Sequence, residues 1–267
     1  MTNKIKHVNS NHFILILPIT ALLSTPFFLF IDSPYAAKYF SQGQDIANII
    51  MVSLYCLFLF TVDRKLYWLI FLMTLSSLYA EILGSLILSW YQYRLKNIPM
   101  YIPLGHAVLY ATTYQISRQP IIWKYHKAIE SSLTKLIFII SFMSLILLRD
   151  IAGFLCFLMF LLILRTRKKP LFYLCMFILV YNLEFLGTTF LVWSWYGTLG
   201  NHPNYPSIGP FPSGIAGLYL LIDLCSNSIY FYILKSFKFI HKIRIKGRAG
   251  ALTTQNYLIN SRTTDVA

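Results

Sequence analysis

The chain has 267 residues, of which 57% are hydrophobic, 17% aromatic and only 12% charged, with a mean hydropathy of +0.61. That balance lies outside the range of soluble globular domains. A formal net charge of +14 would suit a nucleic-acid-binding protein if Lys and Arg were spread through polar segments. They collect instead in alternate connections between apolar stretches, which points to a membrane protein and away from nucleic acid as a partner.

In chain order, residues 1–12 read as a cytoplasmic tail and 13–31 as a first anchor. Lys4 and Lys6 ahead of an apolar run resemble a signal peptide, but the run is too long for one and no small-residue cleavage site follows. Further stretches of spanning length fall at 46–62, 66–90, 134–148, 151–164, 171–195 and 213–234, with a weaker one at 102–117. The expected fold is all-α: a polytopic transmembrane bundle of about eight helices. Residues 118–133 are expected to form a basic cytoplasmic linker, and 237–267 a basic, partly disordered tail. Between Lys235 and Arg248 basic residues alternate with Phe237, Phe239, Ile240 and Ile243, a pattern suited to anionic headgroups. Cys56, Cys156, Cys175 and Cys225 lie inside predicted helices without metal-ligand or disulfide spacing, so neither a metal nor a cofactor is expected.

The basic residues set the orientation. Lys4 and Lys6, Arg64 and Lys65, the group from Arg118 to Lys135, the group from Arg165 to Lys169 and the C-terminal tail share one side if there are eight crossings. Only Lys38, Arg94, Lys96 and Arg149 fall on the other. Both termini are then cytoplasmic, and the expected location is a bacterial inner membrane.

The order of residues also recurs. Arg64, Lys65, Met73, Glu81, Leu83, Gly84 and Trp90 match Arg167, Lys168, Met176, Glu184, Leu186, Gly187 and Trp193 at constant spacing. Beyond them Asn97, Pro99 and Tyr101 match Asn201, Pro203 and Tyr205, and "PLGHAVLY" matches "PSGIAGLY". Two parallel four-helix repeats follow, 13–117 and 134–236, related by an axis along the membrane normal.

Glu81 and Glu184 are the first candidates for chemistry, because a carboxylate within a spanning helix is costly unless it is paired, protonated or facing a polar cavity. Each precedes a tryptophan by nine residues, so a straight helix would put it about 13 Å below an aromatic belt. At helical spacing Gly84 and Gly187 would admit a neighbouring helix, and Ser85 and Thr188 would bond the carboxyls. If the two acids meet across the axis they would share a proton; if not, each is structural glue. Asp223 is a third candidate, with Tyr219 one turn before it and Tyr114 in the corresponding place of the first half. His106, opposite Ile215, is likewise unmatched in the second half, and a lone histidine near the interface is more often a headgroup contact than a catalyst. The loops "WYQYRLKNIPMYIPLGH" and "WSWYGTLGNHPNYPSIGPFPSG" supply candidate substrate contacts at Trp90, Tyr101, His106, Trp193, Asn201 and Tyr205, to which Tyr219 is added.

The paired motifs "EILGSLILSWYQY…NIPMYIP" and "EFLGTTFLVWSWYG…NHPNYP" resemble those of integral-membrane carotenoid-biosynthesis proteins of the hydratase type. The likeness covers the third helix and following loop of each half. It implies addition of water to a polyene, with Glu81 and Glu184 as proton donor and water activator. Where that family has a Gly-rich aromatic segment after the glutamate, this chain is aliphatic. "GPFPSGIAGLYLLIDL" is also similar to bacterial polytopic membrane proteins in which Pro-Ser-Gly starts a helix, which implies no activity. The expected function is an enzyme modifying a lipid or isoprenoid by carboxylate acid/base chemistry. The alternatives are a proton-linked transporter or flippase, or an accessory protein. Membrane lipids and a hydrophobic small molecule are the expected partners.

Epitope tags at residue 2, between Arg118 and Lys135 and at the C-terminus are expected to be protected together in sealed inside-in vesicles. A tag in the Pro203 to Gly214 loop should be accessible from outside, and protection of that loop with the others would overturn the orientation.

Overall fold

The computed structural model describes residues 13–167, 169–214 and 217–236. The expectations for the N-terminal tail and for nearly all of the C-terminal tail lie outside the described residues. Among the described residues the chain is mostly helical. In order, α1 is Phe13–Ile31, α2 Gly43–Thr61, α3 Arg64–Glu81, α4 Tyr101–Ile116, α5 Pro120–Lys124, α6 His126–Leu148, α7 Ile151–Arg165 and α8 Leu171–Thr189. The last, α9, is Gly217–Ser236. The described residues up to Ser226 form one compact unit, and those from Asn227 belong to a second.

Among the described residues five helical stretches are long and apolar enough to cross a membrane: Gly43–Thr61, Arg64–Ile87, His126–Leu148, Leu171–Thr189 and Gly217–Ser236. These are the helices of an integral membrane protein. Leu15–Ile31 and Ile151–Arg165 are shorter apolar helices, and α4, at 16 residues, spans about 24 Å. The basic segment after α4 is not a plain linker: α5 occupies part of it, and α6 starts at His126, well ahead of the expected start.

A second difference changes the site. The apolar runs expected to continue as helix to Trp90 and Trp195 stop early. After α3 a π-helical turn, Ile82–Ile87, ends the helix, and after α8 the helix ends at Thr189. Two short strands follow, β1 (Tyr91–Tyr93) and β2 (Trp193–Trp195), paired antiparallel with Tyr91 opposite Trp195 and Tyr93 opposite Trp193. The strands begin after left-handed residues, Ser89 (φ 49) and Leu191 (φ 56), which reverse the chain where a continuing helix was expected.

Helix starts have local causes. Asp63 caps α3 by accepting from the Leu66 amide at 2.7 Å, and Asp150 caps α7 by accepting from Gly153. α4 lies at the centre, packing against α1, α2, α3 and α8, while α6 packs on α7 and α8.

Two buried acids that sequence reasoning passed over tie the outer loops down. Asp32, just past α1, accepts from Arg94 at 2.5 Å and from the Tyr101 hydroxyl at 2.6 Å. It thereby joins the end of α1 to the residue after β1 and to the start of α4. Asn97 and Gln44 exchange amide hydrogen bonds beside it, and Asn48 accepts from the Tyr101 amide. Asp150, just past α6, accepts from the amides of Gly153, Gly209 and Ser213 and from the Ser213 hydroxyl. Ser207 adds a hydroxyl bond to the Arg149 carbonyl. The signal was present in the sequence, since each acid directly follows an apolar helix.

Removing Asp150 strands several buried donors, so Asp150→Ala should destabilise the fold by about 1–3 kcal/mol or more, with Asp150→Asn intermediate because it keeps one acceptor oxygen. Thermal unfolding in detergent measures the order; equal stability of Asp150→Ala and the unaltered protein would refute it.

Candidate functional site

Both glutamates are buried, at 5% exposure each, and each carboxylate is bonded by rings that its own chain folds back onto it. The Tyr91 and Tyr93 hydroxyls donate to Glu81 Oε2 at 2.6 and 2.5 Å. The Trp193 and Trp195 indole N–H groups donate to Glu184 Oε2 at 2.9 and 3.1 Å. The strands alternate aromatic and polar residues, Tyr-Gln-Tyr and Trp-Ser-Trp, so one face of the ribbon turns all four rings inward. Rings also meet across the ribbon: Tyr91 and Trp195 lie 4.7 Å apart between centroids, and Tyr93 and Trp193 lie 6.2 Å apart edge to face. Burial first, and then the Glu81 charge, push both phenols well above their ordinary range, which keeps them protonated as donors.

The geometry corrects several expectations. Trp193 is not 13 Å above Glu184 but in contact with it, because Leu191 turns the chain back. The conserved spacing of Glu and Gly within each motif makes room for a ring instead of another helix. A Cβ on Gly84 would lie 3.0 Å from the Tyr91 ring, and one on Gly187 would overlap the Trp193 ring outright. Thr188 does not bond the Glu184 carboxyl; its hydroxyl donates to the backbone carbonyl of Glu184 at 2.7 Å. Glu81 and Glu184 line one cavity, and each carboxylate accepts hydrogen bonds from its own pair of rings.

His106, on α4, is buried and not at an interface. Its Nε2 lies 3.2 Å from Glu81 Oε1 and 2.9 Å from the Tyr219 hydroxyl, and its ring stacks on Tyr219 at 4.2 Å and 10°. Among the described residues its Nδ1 has no hydrogen-bond partner, and neither has the Thr112 hydroxyl two turns along the same helix.

These groups wall a cavity of about 220 Å³. One end is polar and aromatic, built from Glu81, His106, Tyr219, Glu184 and the four strand rings. The rest is mostly apolar, from α1 (Phe28, Leu29), α2 (Met51, Leu54), α4 (Ile102, Val108) and α8 (Leu179, Leu183), with Thr25, Thr112 and Asn182 among them. Tyr101 closes it near Asp32. Of the sequence candidates, the cavity thus gathers Glu81, Glu184, Tyr101, His106, Trp193 and Tyr219. Trp90 lies outside it, and the place corresponding to Trp193 belongs to Tyr91. Asn201 is an exposed left-handed turn residue (φ 53), and Tyr205 is 56% exposed beside His202. Asp223 is buried on α9 but does not line the cavity. Tyr91, Tyr93, Trp195 and Thr112 join the site without having been singled out. The period-two alternation of the first three was readable, though too short to displace the helical reading. Among the described residues no group of three His, Cys, Asp or Glu side chains is arranged to hold a metal ion.

No protein-family model matches this chain, and no curated protein or solved structure matches it.

Adding one methyl at Gly187 forces the Trp193 ring off its carboxylate, whereas at Gly84 the neighbour need yield only slightly. Gly187→Ala should therefore cost about 1–3 kcal/mol of stability, and Gly84→Ala clearly less. Unfolding followed by tryptophan fluorescence distinguishes them, and the reverse order would contradict this packing.

Proposed function

We propose that the protein is a membrane-embedded enzyme that moves a proton between its Glu81–His106 pair and a carbon–carbon double bond of a lipid or isoprenoid. What carries the reading is that pair, 3.2 Å apart, in the wall of a cavity lined mostly by apolar and aromatic side chains. Imidazole can take a proton at one nitrogen and release one from the other. Nε2 faces both the Glu81 carboxylate and the Tyr219 hydroxyl, so a proton can pass along that chain in the cavity wall. Delivery of a proton to one alkene carbon leaves the adjacent carbon cationic. Loss of a proton from a neighbouring carbon then gives a double-bond isomer, attack by a second double bond of the same molecule followed by proton loss gives a ring, and addition of water followed by proton loss gives an alcohol. Neither course needs an oxidant. The rings of Tyr91, Tyr93, Trp193 and Trp195 offer π faces to such a cation, and Glu184, held by two indole donors, would oppose it when in its carboxylate form. Glu81 is the acid/base group and Glu184 the electrostatic one; Asp223 takes no part.

We also read the halves as copies of one unit with both termini cytoplasmic. The order of three helices, a strand and a helix occurs twice. A left-handed residue stands two places before each strand, and an anchoring acid follows the first helix of each unit. The alternative of a proton-linked transporter or flippase uses the same carboxylates but creates no new carbon–hydrogen bond.

Glu81→Gln keeps an acceptor for the tyrosines and removes the exchangeable proton. It should express and unfold normally while the lipid product falls by about 10²- to 10⁴-fold. Comparing lipid extracts of cells with and without the gene by mass spectrometry gives the product, and growth in deuterated water should place solvent deuterium on its carbon. A fully active Glu81→Gln, or a product free of solvent deuterium, would overturn the reading.

A further inference from the structure

We infer that the cavity's ligand is longer than the cavity and is admitted sideways from the bilayer, through a gap between α1 and α8 whose rim carries Leu22, Leu179 and Asn182. The chemistry at the inner end rests on the proposed function; the gap itself rests on burial and volume. A 150 Å³ apolar cavity accommodates benzene, so 220 Å³ holds roughly eight or nine carbon atoms. Acyl chains and most isoprenoids exceed that length. A substrate of this class must therefore project from the cavity, and the walls show where.

On the α2 and α4 side Met51, Leu54, Ile102 and Val108 are buried, as are Glu81 and His106, with Gly105 and Leu109 half-buried and no lining residue exposed. Exposure rises at α1 and α8. Leu22 and Thr25 on α1 and Leu179 on α8 are half-buried, and Asn182 is exposed although it lines the cavity. Just outside, Leu23 is 74% exposed and Phe185 43%, an apolar surface suited to lipid. Leu22, Thr25, Leu179 and Asn182 lie in the central turns of α1 and α8, which acyl chains reach where those helices stand across a bilayer. Toward their C-terminal ends α1 and α8 are joined by the edge contact of Phe30 with Phe190 at 5.8 Å. Between, Pro26 has no amide to give the Leu22 carbonyl, which leaves the α1 side of the rim less braced. An amide exposed on a spanning helix is costly against lipid alone, and its position at the mouth gives it a role beside a passing chain.

The test uses the full chain in phosphatidylcholine vesicles with two alkyne-tagged geranylgeraniol probes, one carrying a diazirine at each end. One of them should label the Met51, Leu54 and Ile102 wall after irradiation, and that labelling should fall to background in Leu179→Trp and in Leu22→Trp. Leu23→Trp, facing outward on α1, should label as the unaltered protein does. Elution and helicity check folding, and either rim variant suffices if the other fails to fold. Glu81→Gln should also label normally, so loss of its product with labelling retained separates chemistry from access. Absence of wall labelling by both probes, or wall labelling undiminished in a folded rim variant, would overturn the inference.

Discussion

Everything in the site depends on a carboxylate inside an apolar helix being satisfied by rings from the same chain a few residues later. An ionised carboxylate among hydrocarbon side chains is strongly disfavoured unless donors surround it. Here the donors are not borrowed from a distant helix. The helix stops, a left-handed residue turns the chain, and a three-residue strand brings two aromatic donors back to the acid. Because both halves do this, and the two strands pair with each other, satisfying each glutamate also brings the other into the same cavity wall. Local electrostatic need and tertiary arrangement are thus one constraint.

That constraint explains the glycines and anchoring acids. A ring laid over the end of its own helix needs a position without a side chain beneath it, and Gly84 and Gly187 supply it. A strand folded back this way needs its far end held, or the rings would swing away. In the first half Asp32 grips Arg94 and Tyr101; in the second Asp150 grips the backbone at Gly209 and Ser213. Buried carboxylates with several donors hold loops well because losing any one partner leaves the rest of the charge unsatisfied.

Much of this was legible in the sequence, and the unread part has a common cause. Apolar runs and basic clusters located the helices, and the intramembrane glutamates stood out because their cost is large whatever surrounds them. Helix ends were misplaced because Trp, Tyr, Leu and Val suit a spanning helix and a short buried strand equally, and three residues of alternation cannot outweigh twenty of hydrophobicity. Trp90 was paired with Trp193 for the same reason: composition aligned two tryptophans, whereas geometry aligns Tyr91 with Trp193. His106 was read as solitary because its partners, Glu81 and Tyr219, are remote in sequence and meet it only through packing of α4 with α3 and α9.

The two halves reach the same arrangement with different chain lengths and different donors, and the difference bears on how they divide the proposed chemistry. Tyr91 follows Glu81 by one residue more than Trp193 follows Glu184, and α3 absorbs the extra residue in the π-helical turn Ile82–Ile87, while α8 ends without one. The ring donors thus arrive at equivalent places on both carboxylates. They are not equivalent groups. An indole N–H only donates, so Trp193 and Trp195 hold Glu184 in one hydrogen-bonding state. A phenol can donate or accept, and His106 can exchange donor for acceptor at either nitrogen, so the partners of Glu81 can reorganise as a proton leaves or arrives. Only the first carboxylate is surrounded by groups that can follow a proton, which is why the proposed acid/base role is given to Glu81 and the proposed electrostatic role to Glu184.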